Sequence, residues 1–126
     1  MGERVVSAAG KRKGSQWERD CEEHLNQSGL KARRMPRAGA KDMGDVVIEG
    51  ADFDIVIECK NVRNAWGQMK EFIRQADIEA CNYELKYDRP SLGVVATKTR
   101  QSGTGEGRIT MTVDQFVSLL RWGSIA

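Results

Sequence analysis

The sequence predicts a single α/β domain, a sandwich of helices around a mixed β-sheet. Three observations carry that expectation. Apolar residues recur at helical spacing in two long segments, near residues 15–27 and 66–83. Two β-branched runs, 45–49 and 53–60, flank the turn Gly50-Ala51-Asp52, and a third apolar run covers 92–97. Nothing repeats, and 126 residues is the size of one domain.

Taken in order, residues 1–13 combine Gly, Ala and basic side chains without periodicity, and read as a flexible basic arm before a domain over 14–126. Ser15 opens a helix to about Gln27, with Trp17, Cys21, His24, Leu25 and Ser28 on one stripe, and Gly29 ends it. A strand is expected near Lys31–Met35, followed by a loop through Pro36, Gly39 and Gly44. The two strands at 45–49 and 53–60 then form a hairpin. The second helix buries Met69, Phe72, Ile73, Ala76, Ala80 and Tyr83. Pro90 marks a break before the strand Leu92–Thr97. A glycine-rich turn, Gln101 to Gly107, leads to a strand at Arg108–Thr112 and a short helix over Val113–Trp122.

Composition narrows the function classes. The three cysteines are widely spaced, with no Cys-x-x-Cys pair, and read as reduced thiols rather than zinc ligands or a disulfide frame. A single histidine, His24, makes a histidine-based zinc site or a Ser/Cys-His triad improbable. No apolar run has the length of a membrane span, and residues 1–13 lack the apolar stretch of a secretory signal, so the expected location is cytoplasmic. The net charge of +2 hides an asymmetry. Residues 1–41 hold ten Lys/Arg against five Asp/Glu, and the remainder holds ten against thirteen. The excess concentrates in Lys11, Arg12, Lys13 and in Lys31, Arg33, Arg34, Arg37 and Lys41. Such a surface suits a phosphate backbone, although basic runs are also commonly just solvated.

The most informative segment is Phe53-Asp54-Ile55-Val56-Ile57-Glu58-Cys59-Lys60, preceded by Gly44-Asp45. On a strand, Phe53, Ile55, Ile57 and Cys59 take one face, and Asp54, Val56, Glu58 and Lys60 the other. Glu58 and Lys60 on one face, with Asp45 on the neighbouring strand, would make a metal site with an ammonium beside it. That equipment suits phosphodiester hydrolysis. The bland alternative is a solvated face of an antiparallel sheet. The apolar flanks argue for a central strand, where a charged pair needs a reason.

At this point the residues carry a resemblance. Lys13-Gly14-Ser15-Gln16-Trp17-Glu18-Arg19, then Leu25, Gly29-Leu30, Arg34-Met35-Pro36-Arg37-Ala38-Gly39, Gly44-Asp45 and Ile57-Glu58-Cys59-Lys60 resemble the archaeal-type Holliday junction resolvases. Those belong to the PD-(D/E)XK nucleases, whose fold is the restriction-endonuclease-like three-layer α/β sandwich with a central mixed sheet. The match runs in order over 13–60 and thins beyond. Two positions depart: Gly44 stands where proline is usual, and Ala38 where the loop usually offers serine.

The resemblance implies a catalytic set of Glu18, Asp45, Glu58 and Lys60. It implies Mg²⁺, with Mn²⁺ as a substitute, held by Asp45, Glu58, Glu18 and the Cys59 carbonyl. Lys60 would orient the attacking water. Read from the residues alone, Ser15-Gln16-Trp17-Glu18 is a capping box, with Glu18 closing back on the N-cap amide; the resemblance moves Glu18 to the metal site, and Glu22 is its fallback. Arg19 either binds phosphate or pairs with Glu22 or Glu23. Gln75, with Gln68 as competitor, is a weaker candidate on the second helix. Asp42 is an alternative to Asp45 but lacks the apolar strand immediately after it. Trp66 and Trp122 read as packing or dimer contacts. Lys98 and Arg100 either touch DNA or are solvated.

The expected function is a Mg²⁺-dependent endonuclease resolving four-way junctions as a homodimer, with Lys11, Arg12, Lys13, Arg19, Arg33, Arg34, Arg37 and Lys41 meeting DNA. The alternatives are another nuclease of this fold, of restriction or repair type, and a non-catalytic DNA-binding module. A compact nuclease without specificity domains also suits a phage, acting in the host cytoplasm.

Overall fold

The computed structural model describes residues 8–36 and 42–123. The chain runs α1 (Ala8–Gln27), β1 (Ala32–Arg34), β2 (Val46–Glu49), β3 (Asp54–Lys60), α2 (Met69–Tyr87), β4 (Ser91–Thr97), β5 (Arg108–Thr110) and α3 (Val113–Trp122). Short 3-10 turns cover Trp66–Gln68 and Thr104–Glu106. The five strands lie in sequence order in one sheet, with only the β3–β4 pair parallel. A parallel pair needs a crossover, and α2 supplies it. This is the three-layer mixed α/β architecture expected from the sequence.

The two faces of β3 are the ones predicted by its alternation. Ile57 and Cys59 join Trp17 and Cys21 of α1, with Leu119 of α3 packed against the same cluster. Val56 meets Ala80 and Tyr83 of α2. Phe72 and Ala76 cover Val95 of β4. The Trp17 indole donates to the Ala96 carbonyl at 3.1 Å, which satisfies its buried N–H. At Gly93 any side chain would collide with the Ala76 carbonyl, so α2 lies close against β4.

Four sequence expectations need correcting. The first helix begins at Ala8, not Ser15. Ala, Lys and Arg are good helix formers, and they carry the helix through residues assigned to the arm despite Gly10 and Gly14. Ser15 is therefore interior to α1, and the capping box with Glu18 does not exist. His24 and Ser28, placed on the buried stripe, are exposed. The second helix extends one turn beyond Tyr83 to Tyr87. The first helix does end as expected: Gly29 takes φ +90°, and the Leu30 N–H donates to the Leu25 carbonyl. Residues 1–7 lie outside the described residues.

Candidate active site

The site sits at the end of β3 where its neighbours differ in length. β2 starts at Val46, opposite Ile57, so the Cys59 N–H has no strand partner on that side. The Asp45 carboxylate fills the gap, accepting from Cys59 N–H at 2.8 Å. The Asp45 backbone is tied on both sides. Its N–H donates to Ile57 and its carbonyl accepts from Met35, both at 2.9 Å. Gly44 before it has φ +92°, and a side chain there would strike Val56. Proline, with φ fixed near −65°, cannot adopt that conformation. The departure from the usual proline is thus built into this turn.

Glu58 is buried on the α2 face of β3. Lys60 lies on the same face, its Nζ 3.5 Å from Glu58 Oε1 and 4.8 Å from the centre of the Phe72 ring. Across from Glu58 stands Glu79, a buried acid on α2. Carboxylate oxygens of Asp42, Glu58 and Glu79 all lie within 4.8 Å of one another. Glu58 Oε2 and Glu79 Oε2 are buried without a hydrogen-bond partner among the described residues. Asp42 is exposed and also accepts from the Gly44 N–H at 2.9 Å.

Charge confirms the crowding. Burial, then the Glu58 carboxylate, push the Asp45 carboxyl up to about 8 against the opposing Cys59 N–H, and Glu18 adds to the rise. Burial, then Glu58, hold Glu79 far above the ordinary glutamate range. Like charges gathered out of water, with orphaned oxygens, are what a divalent cation with hard oxygen ligands would relieve. These residues fit such an ion.

The remaining candidates divide. Glu18 is buried on α1, 3.4 Å from Arg34 Nη2. Glu22 accepts from the Arg34 N–H at 2.7 Å, which gives it a task in seating β1. Arg33 and Arg34 point to opposite faces of the sheet, as neighbours on a strand must. Arg33 donates to Glu49 at 2.8 Å and reaches the Tyr83 hydroxyl at 3.5 Å, on the α2 side. Arg12, Lys13 and Arg19 are exposed on α1, with Arg19 donating to Gln16 at 3.1 Å. Gln75 is half-buried, and Gln68 donates to the Asn64 carbonyl. Trp122 packs edge-on against Phe53, at 5.4 Å between ring centres. Arg37, Lys41 and the Lys11 side chain lie outside the described residues. Cys59 is a packing thiol, held far above its ordinary value by its contact with Cys21 and by burial.

Sequence reasoning passed over Glu79. The signal was present: Glu79 lies three residues after Ala76 and four before Tyr83, on the buried stripe.

Comparison with known proteins bears on the fold and the family. Hjc, a Holliday junction resolvase from the archaeal hyperthermophile Archaeoglobus fulgidus, has a similar structure, with a TM-score of 0.50 and 19% sequence identity. The likeness covers 77% of this chain and 75% of that one. At that identity it speaks for the restriction-endonuclease-like fold. No curated protein matches the chain. Residues 9–116 match the family described as phage putative PDDEXK endonuclease, and the chain belongs to that family.

Proposed function

We propose that this chain is a Mg²⁺-dependent DNA endonuclease that resolves four-way junctions as a homodimer. One observation carries the catalytic reading: Asp45, Glu58 and Glu79 crowd together beside Lys60, with buried carboxylate oxygens left without partners. Asp45 and Glu58 would hold the metal, with Glu79, Asp42 and Glu18 bordering it. The Cys59 carbonyl is a further ligand, since the N–H and C=O of one strand residue point the same way and its N–H meets Asp45. A bound Mg²⁺ would supply neutralisation of the scissile phosphate and a lowered pKa for water. Lys60 holds the attacking water and offsets charge growing on the phosphate. Phe72 beneath the ammonium limits its motion. Glu18, on α1, lies near enough to Asp45 to raise its pKa, and would reach the metal directly or through water.

Junction resolution is supported by the resemblance over residues 13–60 and by the fold shared with Hjc. A junction needs two paired cuts, which a two-fold dimer with one site per subunit provides. Val113, Phe116 and Val117 form an exposed apolar stripe along α3, and Ile109 on β5 is exposed as well. The α3 stripe suits a second copy of the chain. Among the described residues no helix is long and apolar enough to cross a membrane. Arg12, Lys13 and Arg19 are exposed cations available to phosphates.

The test is cleavage of labelled four-way junction, duplex, flap and single strand, with and without Mg²⁺. The reading predicts paired, Mg²⁺-dependent cuts in the junction and their loss in Glu58→Gln. Equal cutting of linear duplex would make this a general endonuclease of the same fold.

A further inference from the structure

Beyond Lys60 the chain builds a second feature that the catalytic set does not use. Parallel strands β3 and β4 end together, with Lys60 opposite Thr97, and the Lys98 N–H donates to the Lys60 carbonyl at 3.2 Å. The segments leaving these strands, together with β5, enclose a cleft of about 270 Å³. Arg63, Lys98, Arg100 and Arg108 line it, and no acid does. None of the four makes an ion pair with a described residue. Trp66 stands on the same wall and is 80% exposed.

An exposed ring by itself means little. The setting gives this one a meaning. The ring adds nothing to the core, stands among four cations that have no ion pair among the described residues, and borders a cleft that opens directly after Lys60. Cations with an open aromatic face are the combination that grips an unpaired nucleic-acid strand: phosphates on the cations, a base stacked on the ring. We infer that this cleft binds an unpaired stretch of DNA next to the cleavage point, with a base stacked on Trp66. The assignment rests on the nuclease reading above and deepens it, because a branched substrate offers unstacked bases where its strands exchange.

The experiment measures binding without metal, so that no cleavage intervenes. A labelled oligothymidylate of about twelve nucleotides and a duplex of equal length are titrated with the unaltered protein, Trp66→Ala, Trp66→Phe and Arg100→Ala/Arg108→Ala, in EDTA. Trp66→Ala should weaken single-strand binding about tenfold while changing duplex binding by less than about twofold, and Trp66→Phe should restore most of the loss. The double arginine variant should lower the single-strand salt slope by about 0.7 per lost contact. Single-strand affinity unchanged in Trp66→Ala would overturn the assignment. So would an equal loss on duplex, or a change in the sedimentation of Trp66→Ala, which would make the ring a contact between copies. Cleavage is scored separately on the unaltered protein. Retained Mg²⁺-dependent cutting alongside any of these outcomes would leave the nuclease reading standing while the cleft assignment fails.

Discussion

Strand β3 carries a buried acid near each end of the same face, and the two are treated in opposite ways. Asp54 accepts from the Tyr83 hydroxyl at 2.6 Å, from Arg89 Nη2 at 2.7 Å and from the Gly50 N–H at 3.1 Å. Burial alone would raise its pKa, but Arg89, Tyr83 and Gly50 together hold it below the ordinary aspartate value. Glu58, four residues on, faces the acids Glu79 and Asp45, and the one cation paired with it among the described residues is Lys60 at 3.5 Å. A buried carboxylate whose lone pairs are all used is a structural group. One left short beside further acids has the chemistry of a functional group, and the proposed function gives it a cation to hold. The strand alternation that makes the two ends equivalent in sequence says nothing of this difference; the partners on α2 and in the loops decide it.

The comparison can be broken most sharply at Glu58. Glu58→Gln should lower cleavage on the order of a thousandfold. The metal-free protein should lose no thermal stability, since the change removes a repulsion. A variant that unfolds instead would make Glu58 a structural acid like Asp54. The converse holds at the other end. Asp54→Ala leaves Arg89 and Tyr83 without their acceptor and should cost about 3 kcal/mol in denaturant unfolding. Its cleavage should stay within about threefold at temperatures where it is folded.

Glu79 sharpens the comparison from the α2 side. Glu79→Gln should reduce cleavage about 10- to 100-fold, the usual cost of disturbing groups around a metal, and should raise the melting temperature of the metal-free protein. A fall in melting temperature would mean that Glu79 is held by unseen partners.

A gentler effect appears on changing pH. Unfolded, Asp45 releases its proton near about 4; folded and metal-free, it keeps it to about 8. Its proton-bound form therefore stabilises the fold below the unfolded value, and that contribution is lost as pH rises through about 8. Melting temperature without metal should decline from pH 5 to 8.5, and Asp45→Asn should flatten the decline. Mg²⁺ should stabilise more at pH 8.5 than at pH 6, because it takes the place of that proton.

Much of this was legible in the sequence, for physical reasons that differ by element. The order of strands and helices follows from periodicity, and the two faces of β3 follow from alternation, since Ile57, Cys59 and Val56 pack where a period of two puts them. The Asp45, Glu58 and Lys60 cluster could be read because Asp45 immediately precedes β2 and the other two lie on β3, within one hairpin. Glu79 could not be read in the same way. Its closeness to Glu58 depends on how α2 crosses the sheet, a tertiary fact, although an acid in an apolar helical register was a warning. Ser15 misled because a serine three residues before a glutamate looks like a helix start wherever it occurs, and only the preceding turns of α1 exclude it. The cleft beside Trp66 draws on segments leaving β3 and β4, together with β5, so no local pattern announces it.

The far end of β3, if it binds a divalent cation as proposed, must part from the near end in one property above all, metal affinity. Calorimetric titration with Mn²⁺, compared across the unaltered protein, Glu58→Gln and Asp54→Asn, tests it. The account predicts binding in the unaltered protein and in Asp54→Asn, and its loss in Glu58→Gln. Undiminished Mn²⁺ binding by a folded Glu58→Gln protein would contradict it.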